Sequence, residues 1–302
     1  MTCSQVVCVG NVVRDEVFHV DVLPSAGIKT DVLKYEERFG GPAATAAVAI
    51  AHLGGRTSYW GRVGDDASGK AIRTALMRHH VECEGLASLT NARTIRSIVT
   101  VDRRGERSIV VDRTGLPTAA DCVPPTLPDA TAVVLADTRW PVGARLAFQY
   151  AKAAGIPSIL DADGGSADTM SVLVDLADHV VFSAQGATEF AGNGTPTEQL
   201  HRLAKLAPRT LAITDGARGS VWLIDGRIRK VPASNVVVND TTGCGDVFHG
   251  AYALAIAEQK SPLWAAHFAS AVAAIKAKNG NGWEGMPDRG SALVLMQKEI
   301  SE

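Results

Sequence analysis

The chain has 302 residues, with 30 Lys and Arg against 32 Asp and Glu, and 46% of its residues are hydrophobic. This composition excludes a disordered chain, and a chain near this length buries roughly three quarters of its unfolded surface, which suits one large domain. The net charge of -2 argues against nucleic-acid and membrane-surface partners, because both call for a basic excess. Small-molecule chemistry is the expectation that remains.

No segment predicts a membrane span or an export signal. The longest uncharged stretch, residues 39–55, contains Pro42 and four glycines, and the N-terminus lacks a basic region before an apolar one. The five cysteines, Cys3, Cys8, Cys83, Cys122 and Cys244, form no C-x-x-C pair, so reduced thiols are expected rather than disulfides or a zinc site. We therefore predict a cytoplasmic protein.

The first half of the chain mixes buried and half-exposed strands. Short apolar runs predict strands at 5–9 and 57–61, and helices are predicted at 42–53 and 69–79. Four more polar runs predict a separate small sheet, because they alternate in polarity and flank turns. These four runs are residues 16–20, 29–35, 95–101 and 108–111.

The second half alternates strand and helix, which indicates a parallel sheet. An Asp225-Gly226 turn predicts an antiparallel hairpin near the end of that series. The predicted strands are 132–136, 158–161, 179–183, 210–214, 220–224 and 227–231. The predicted helices are 142–154, 168–176, 196–206, 245–258, 262–276 and one from about 291.

The most informative motif is Asp240-Thr-Thr-Gly-Cys-Gly-Asp246, which lies just before a predicted helix. Gly243 and Gly245 allow several N–H groups to point outward at a helix N-terminus, where the helix dipole also favours negative charge. Asp246 would then lie beside a bound phosphoryl group and could act as a general base toward a hydroxyl. The alternative is that Thr242 and Asp246 only cap the helix.

A second Gly-rich region, Gly40-Gly-Pro-Ala-Ala-Thr-Ala-Ala, occurs before that motif, followed by Gly54-Gly55 and by a loop at 61–69. With both regions in this order, the sequence resembles the PfkB, or ribokinase-like, family of carbohydrate kinases over its whole length. The resemblance implies a three-layer α/β/α sandwich spanning 1–302, with a small β lid from residues 12–38 and 92–114. It also implies transfer of the ATP γ-phosphoryl group, with Mg²⁺, to a sugar hydroxyl.

The resemblance assigns roles to individual residues. Asp246 would be the base, and the amides of Gly243, Cys244 and Gly245 would stabilise the moving charge. Expected sugar contacts come from Asp15, Gly40, Gly41 and Thr45. Expected nucleotide contacts come from Thr214, Gly216 and Gly219, and from Asn279 and Gly282 in the loop that borders adenine. The alternatives are a surface carboxylate for Asp15, a strand-to-helix turn for the glycine pair, and a plain turn into a hairpin for residues 214–219.

The sequence departs from the family pattern at several positions. Thr45 stands where the family commonly has Asn, and the usual N-x-x-E motif reads Ser183-Ala-Gln-Gly186. The metal ligands therefore stay unassigned, with Glu189 as a candidate through water or as a solvated surface residue. Cys244 replaces a frequent alanine, either as a tolerated small residue or as a thiol with a lowered pKa. His249 is expected to be a satisfied helix histidine rather than part of a catalytic dyad.

The substrate is left open between several classes. Our leading prediction is an ATP-dependent kinase of a ketohexose or furanose derivative. The sequence also resembles the sulfofructose kinase branch, in which Lys29 and Arg139 would hold an anionic C6 group, but Asp112 stands where Asn is expected and would repel a sulfonate. The alternatives are a 6-deoxy-6-sulfofructose kinase, a nucleoside kinase and a non-catalytic sugar or nucleotide sensor. A homodimer through the lid strands is a further expectation.

Overall fold

The computed structural model describes residues 4–118, 120–205 and 210–301. The strands are β1 (Gln5–Val9), β2 (Val13–Val20), β3 (Val32–Gly40), β4 (Arg56–Gly64), β5 (Leu86–Leu89), β6 (Arg96–Val101), β7 (Arg107–Asp112), β8 (Thr131–Asp137), β9 (Ser158–Ala162), β10 (His179–Ser183), β11 (Thr210–Thr214), β12 (Ser220–Ile224) and β13 (Arg227–Val231). The helices are α1 (Pro42–His52), α2 (Ala67–Arg78), α3 (Pro141–Ala154), α4 (Ala167–Leu176), α5 (Ala184–Ala191), α6 (Pro196–Leu203), α7 (Cys244–Ala257), α8 (Pro262–Asn279) and α9 (Arg289–Ser301).

A large mixed sheet runs through the centre of the molecule in the order β13-β12-β11-β10-β9-β8-β1-β4-β5. Strands β11 through β5 are parallel, and β12 and β13 add the predicted antiparallel hairpin. The inner strands are apolar runs buried on both faces, as a parallel sheet requires. Helices α1, α2, α7, α8 and α9 cover one face, and α3 to α6 cover the other. The predicted α/β/α sandwich is confirmed.

A second sheet of the order β3-β2-β6-β7, called the small sheet below, stands apart from the large one. Its β2 pairs antiparallel with β3 and parallel with β6, and β6 pairs antiparallel with β7. The register places Asp15 directly opposite both Arg38 and Ser97. The other face of the sheet carries Phe18, Tyr35, Ile98 and Val110, of which the last three are exposed.

The observed elements differ from the predicted ones in several places. The strand expected at 29–35 is Val32–Gly40, so Lys29 lies in the loop before it. Helix α5 was not predicted, because residues 183–186 were interpreted as an altered N-x-x-E motif. In the structure Ser183 caps this helix, since its hydroxyl accepts a hydrogen bond from the Gly186 amide. The helix expected at 196–206 ends at Leu203, and its predicted end at Leu206 lies outside the described residues. Across the described ranges, no helix is long and apolar enough to cross a membrane.

Candidate active site

The N-terminus of α7 is built on a left-handed glycine. Gly243, the residue before the helix, has φ 75°, a conformation that glycine adopts without steric cost. No side chain caps this helix end, since the Thr242 hydroxyl bonds to Asp240 instead, at 2.6 Å. The capping alternative for Thr242 and Asp246 is therefore not what the structure contains. The Cys244 amide donates to the Thr241 carbonyl at 3.2 Å, which tightens the turn.

Asp246 occupies the first turn of α7 in an unusual electrostatic setting. Burial, followed by the nearby Asp161 carboxyl group, raises the pKa of Asp246 to about 7. A carboxylate with such a pKa exists in both protonation states near neutral pH, as a general base requires. The charge of Asp161 is disfavoured in the same way, because burial raises its pKa well above the ordinary value.

His249, three residues after Asp246, is held by backbone groups. Its Nδ1 lies 2.7 Å from the Gly245 carbonyl oxygen and its Nε2 lies 3.3 Å from that of Val181. The Asp161 carboxylate is 3.4 Å from the same Nδ1. Burial lowers the pKa of this imidazole. A neutral imidazole has one N–H, so His249 donates to one of these two carbonyl oxygens, which agrees with its interpretation as a buried helix histidine.

A cavity of about 530 Å³ opens beside the start of α7. It is lined by the predicted nucleotide residues Thr214, Gly216 and Gly219 and by Cys244 and Gly245 of the glycine-rich turn. The sequence analysis did not identify most of the other residues that line the cavity. These include Ala233, Ser234, Asn235, Val236, Val238, Phe248, Ser270, Ala273, Ala274 and Ala277. The helical spacing of small residues at 270, 273, 274 and 277 is the signal that could have indicated a groove on α8.

Asn279 and Gly282 are not brought to this cavity. The Asn279 side-chain amide donates to the Gly285 carbonyl at 3.1 Å and so fastens its own loop. Asn279 and Gly282 instead shape the loop at residues 280–285, in which Gly282 has φ 51°. The burial of Cys244 raises the pKa of its thiol to about 11, so the interpretation as a thiol with a lowered pKa is wrong.

Asp15 and the glycine pair meet at the base of the small sheet. Asp15 accepts a hydrogen bond from the Ser97 hydroxyl, and burial raises the pKa of its carboxyl group. A Cβ on Gly40 would lie 2.9 Å from the Asp15 carboxylate, and one on Gly41 would lie 2.2 Å from the Asn11 carbonyl oxygen. Both glycines therefore permit close approaches that a side chain would block.

Sequence reasoning missed a buried polar network beside these residues. Asp137, at the end of β8, accepts hydrogen bonds from the amides of Ala43 and Arg139, at 3.1 Å and 2.7 Å. Asn11 donates to the Arg139 carbonyl at 2.8 Å and accepts from Arg62 at 2.9 Å. Burial raises the pKa of Asp137 to about 6. The signal for this network is topological, since side chains after β1, β4 and β8 meet at the carboxyl edge of a parallel sheet.

Of the other predicted sugar residues, Thr45 and Arg139 lie beside this network, whereas Lys29 does not. Thr45 is buried and its hydroxyl accepts a hydrogen bond from the Trp283 indole at 3.0 Å. Arg139 donates to the Asp163 carbonyl at 2.8 Å and lies 3.4 Å from its carboxylate. Lys29 is exposed in the loop before β3.

Asp112 is not brought to the predicted sugar site. It pairs across the sheet with Arg96, whereas Asp15 pairs with Ser97, so the two carboxylates lie on opposite faces of the small sheet. Asp112 instead accepts hydrogen bonds from the amide and hydroxyl of Thr114.

The described residues include no cluster of three or more His, Cys, Asp and Glu side chains that could hold a metal ion. Mg²⁺ commonly takes one or two carboxylates together with substrate phosphates and waters, so such a cage is not required. Glu189 lines a recess of about 20 Å³ with Gly164, Gly165 and Gly186, and Gln185 orients its carboxylate at 2.7 Å. The other lining residues include Ala167, Met170 and Phe190, and the recess shares no residue with the cavity beside α7, so this carboxylate alone does not make a site that fits Mg²⁺.

Comparisons with known proteins give one consistent result. The model of the "pfkB family carbohydrate kinase" matches residues 4–289. An Arabidopsis thaliana ribokinase is 29% identical over 97% of this chain and 81% of its own length, and a Vibrio alginolyticus fructokinase is 27% identical over 76% and 79%. An Agrobacterium tumefaciens structure with a provisional ribokinase name has a TM-score of 0.88 at 32% identity, covering 99% of each chain. The structure of Arabidopsis thaliana ribokinase complexed with ribose and ATP has a TM-score of 0.84 at 26% identity, covering 98% of this chain and 99% of that one. The chain belongs to the pfkB family of carbohydrate kinases.

Proposed function

We propose that this carbohydrate kinase transfers the γ-phosphoryl group of ATP to a hydroxyl of a ketohexose or furanose-type sugar, with Asp246 as general base. The observation that carries the proposal is the start of α7, where Cys244 and Gly245 line a cavity of about 530 Å³ and Asp246 is the next residue after them in an uncapped helix end. Such a turn directs N–H dipoles at an anion, and a base in the next turn lies within reach of a hydroxyl beside that anion.

The chemical step follows from this arrangement. The proton of the sugar hydroxyl passes to Asp246 while the sugar oxygen forms a bond to the γ-phosphorus. The bond from that phosphorus to the bridging oxygen breaks, and the bridging oxygen leaves as part of ADP. The amides of Gly243, before the helix, and of Gly245, in its first turn, stabilise the transferring group through their dipoles. The raised pKa of Asp246, about 7, makes it a competent proton acceptor near neutral pH.

The sugar is expected to bind between the small sheet and the start of α1. Asp15 has an oriented carboxylate that can accept hydrogen bonds from sugar hydroxyls, and the glycine pair lets the backbone approach closely. The small sheet serves as the lid in this proposal and excludes water from the reacting atoms. Support for the substrate class comes from the named activities of the ribokinase and fructokinase relatives.

Mg²⁺ would reach the site bound to the phosphates of ATP. When bound, the ion supplies neutralisation of phosphate charge. The residues of the chain supply the orientation, the base and the dipoles.

A substrate panel tests the proposal and separates it from its alternatives. ADP release would be measured with ribose, fructose, 6-deoxy-6-sulfofructose, fructose 6-phosphate and adenosine, each with and without Mg²⁺. Turnover with a neutral sugar supports the proposal. Preference for the sulfonate or phosphate would assign an anionic C6 site to Arg139, and preference for adenosine would make the protein a nucleoside kinase. Binding without ADP release on any compound would identify a sensor and refute the proposal.

We also propose that two copies associate through the small sheet. Tyr35, Ile98 and Val110 expose 48%, 49% and 66% of their surface on its outer face, and β3 and β7 are unpaired edges. An apolar face bordered by free strand edges favours association with another sheet.

A further inference from the structure

Two arginines of the small sheet reach the glycine-rich turn of the large domain. Arg107, the first residue of β7, donates through Nη1 to the Thr242 hydroxyl and through Nη2 to the Asp240 carboxylate, the latter at 2.9 Å. Arg38, on β3, lies 3.6 Å from the other oxygen of Asp240. Arg107 and Asp240 are 133 residues apart in the sequence. Their contact therefore depends on how the small sheet sits over the large one.

The Asp240 carboxylate holds both guanidinium groups in place. Burial acts to raise its pKa, but the hydrogen bonds from Thr242 and Arg107 outweigh burial and bring the pKa down to about 2. Asp240 is itself fixed from below, because its amide donates to the Ala277 carbonyl at the end of α8, at 3.1 Å. Arg107 is therefore tethered to a rigid, permanently ionised partner.

The tethered guanidinium lies at the rim of the proposed anion site. Thr242 immediately precedes Gly243, and Thr241, Cys244 and Gly245 line the cavity. An arginine carries five N–H donors in a planar fork. Arg107 uses one N–H of Nη1 and one of Nη2 on protein partners, and 38% of its side chain stays exposed. The remaining N–H groups of Arg107 can donate to phosphate oxygens on the side of the anion site that does not face the N-terminus of α7.

We propose that Arg107 is a phosphoryl-contacting residue that completes the anion site from the small sheet, donating hydrogen bonds to the γ-phosphoryl oxygens while Asp240 holds its guanidinium. This inference rests on the proposed function, since it takes the start of α7 as the site of transfer. Arg107 keeps all its protons throughout the step, so the transferred proton still passes from sugar to Asp246.

The inference has a consequence for how sugar binding and transfer are linked. Asp15, the proposed sugar ligand, lies on β2 directly opposite Arg38, and β2 joins through β6 to β7, which carries Arg107. A sugar that fixes the small sheet through Asp15 thereby also fixes the cation at the phosphoryl group.

The test compares an ATP analogue with ADP, which lacks the γ-phosphoryl group. Calorimetry would measure the Kd of AMP-PNP and of ADP, each with Mg²⁺, for the wild type, Arg107→Met, Arg107→Lys and Thr242→Val. The matched control is Arg104→Met on the same hairpin, since Arg104 is 79% exposed and pairs with Asp102 in its own turn. Loss of a charge-assisted contact to the γ-phosphoryl should weaken AMP-PNP about 10- to 100-fold with little change for ADP.

Each outcome has a defined meaning. Selective loss of AMP-PNP affinity in Arg107→Met, partial recovery in Arg107→Lys and no change in the control support the inference. Equal weakening of both nucleotides, or the same selective loss in Thr242→Val and Arg107→Met, would reduce Arg107 to a structural tether and overturn it. If the wild type releases ADP with no compound of the panel, the proposed function fails instead, and the ratio of the two Kd values still decides whether Arg107 contacts the γ-phosphoryl group.

Discussion

Replacing Asp246 by Asn tests the proposed base through two independent quantities, turnover and stability. Asn keeps the size of the side chain but cannot accept the sugar proton, so kcat should fall by roughly 10² to 10⁴ while nucleotide affinity is retained. The wild-type kcat/KM should also rise with pH through about 7, since the base must be ionised and its pKa in the free protein is about 7. This ascending limb should be absent from the residual activity of the variant.

The stability effect follows from the same raised pKa, whose main cause is burial. Relative to the unfolded chain, the protonated form of Asp246 is favoured in the fold. Its stabilising contribution is therefore fully present below pH 4 and is lost as the pH rises through about 7. Because the pKa is raised from 3.8 to about 7, Asn should be the more stable side chain above pH 7, by an amount on the order of a few kcal/mol.

Urea unfolding of the wild type and of Asp246→Asn at pH 4.5, 6 and 8 measures this difference. The variant should match the wild type within about 1 kcal/mol at pH 4.5 and exceed it progressively toward pH 8. Asp168→Asn, at the start of α4, is the matched control, since that carboxylate is exposed at the surface. Near-normal turnover in Asp246→Asn would refute its role as base, and a stability gap that does not change with pH would refute the electrostatic argument.

Three further substitutions test other parts of the site. Gly245→Ala should fold with stability within about 0.5 kcal/mol of the wild type, because an added Cβ meets nothing within 4 Å. Gly245 lines the cavity that we propose for the nucleotide, so the methyl group should raise the KM for ATP, and an unchanged KM would remove Gly245 from the anion site. Arg139→Glu should weaken a C6-phosphate or sulfonate substrate far more than its neutral parent, whereas equal losses would exclude Arg139 from that contact. Val110→Asp should shift the mass measured by light scattering from dimer to monomer, and a monomeric wild type would contradict association through the small sheet.

The geometry at the start of α7 could be predicted because its parts are contiguous in sequence. Residues 240–246 contain the anchoring Asp240, the left-handed Gly243 and the candidate base Asp246 within seven residues. Local backbone geometry fixes their relative positions, and glycine is the residue type that such geometry requires. The turn at 214–219 could be predicted for the same reason, since Gly216 and Gly219 shape a local turn and line the cavity, while the nucleotide role of that turn stays a prediction.

The buried network around Asp137 could not be predicted in this way, because none of its members has a local motif. Asn11 contacts Arg62 and the Arg139 backbone across 51 and 128 residues. Only the order of strands, with β1 between β8 and β4, brings these groups together. Gly10 shows how tight this junction is, since a Cβ there would lie 2.0 Å from the Asp137 carboxylate.

For Asp112, the sequence predicted the strand but not the face of the sheet on which the side chain lies. The predicted strand at 108–111 and the observed β7 (Arg107–Asp112) nearly coincide, yet successive side chains of a strand point to opposite faces. The pairing of Ser97 with Val111 places Asp112 on the outer face with Arg96. The register between β6 and β7 decides which face of the sheet a side chain lies on. A sequence alone does not give that register, so the face of Asp112 could not be predicted.

The two glycine-rich regions of the sequence are parts of one helix contact, which explains why small residues dominate both. A Cβ on Gly250 of α7 would lie 2.6 Å from the Ala46 carbonyl oxygen of α1, so the two helices pack with almost no side chain between them. Near the N-terminus of α7, a Cβ on Gly243 would lie 3.4 Å from the Thr45 side chain. Because α1 begins at the proposed sugar site and α7 begins at the proposed anion site, this contact sets the distance between acceptor and donor. A larger residue at the contact would separate the two helix N-termini, and since a shift of about 1 Å can cost about 10²-fold in rate, the small residues serve the alignment of the reacting groups as well as the packing of the core.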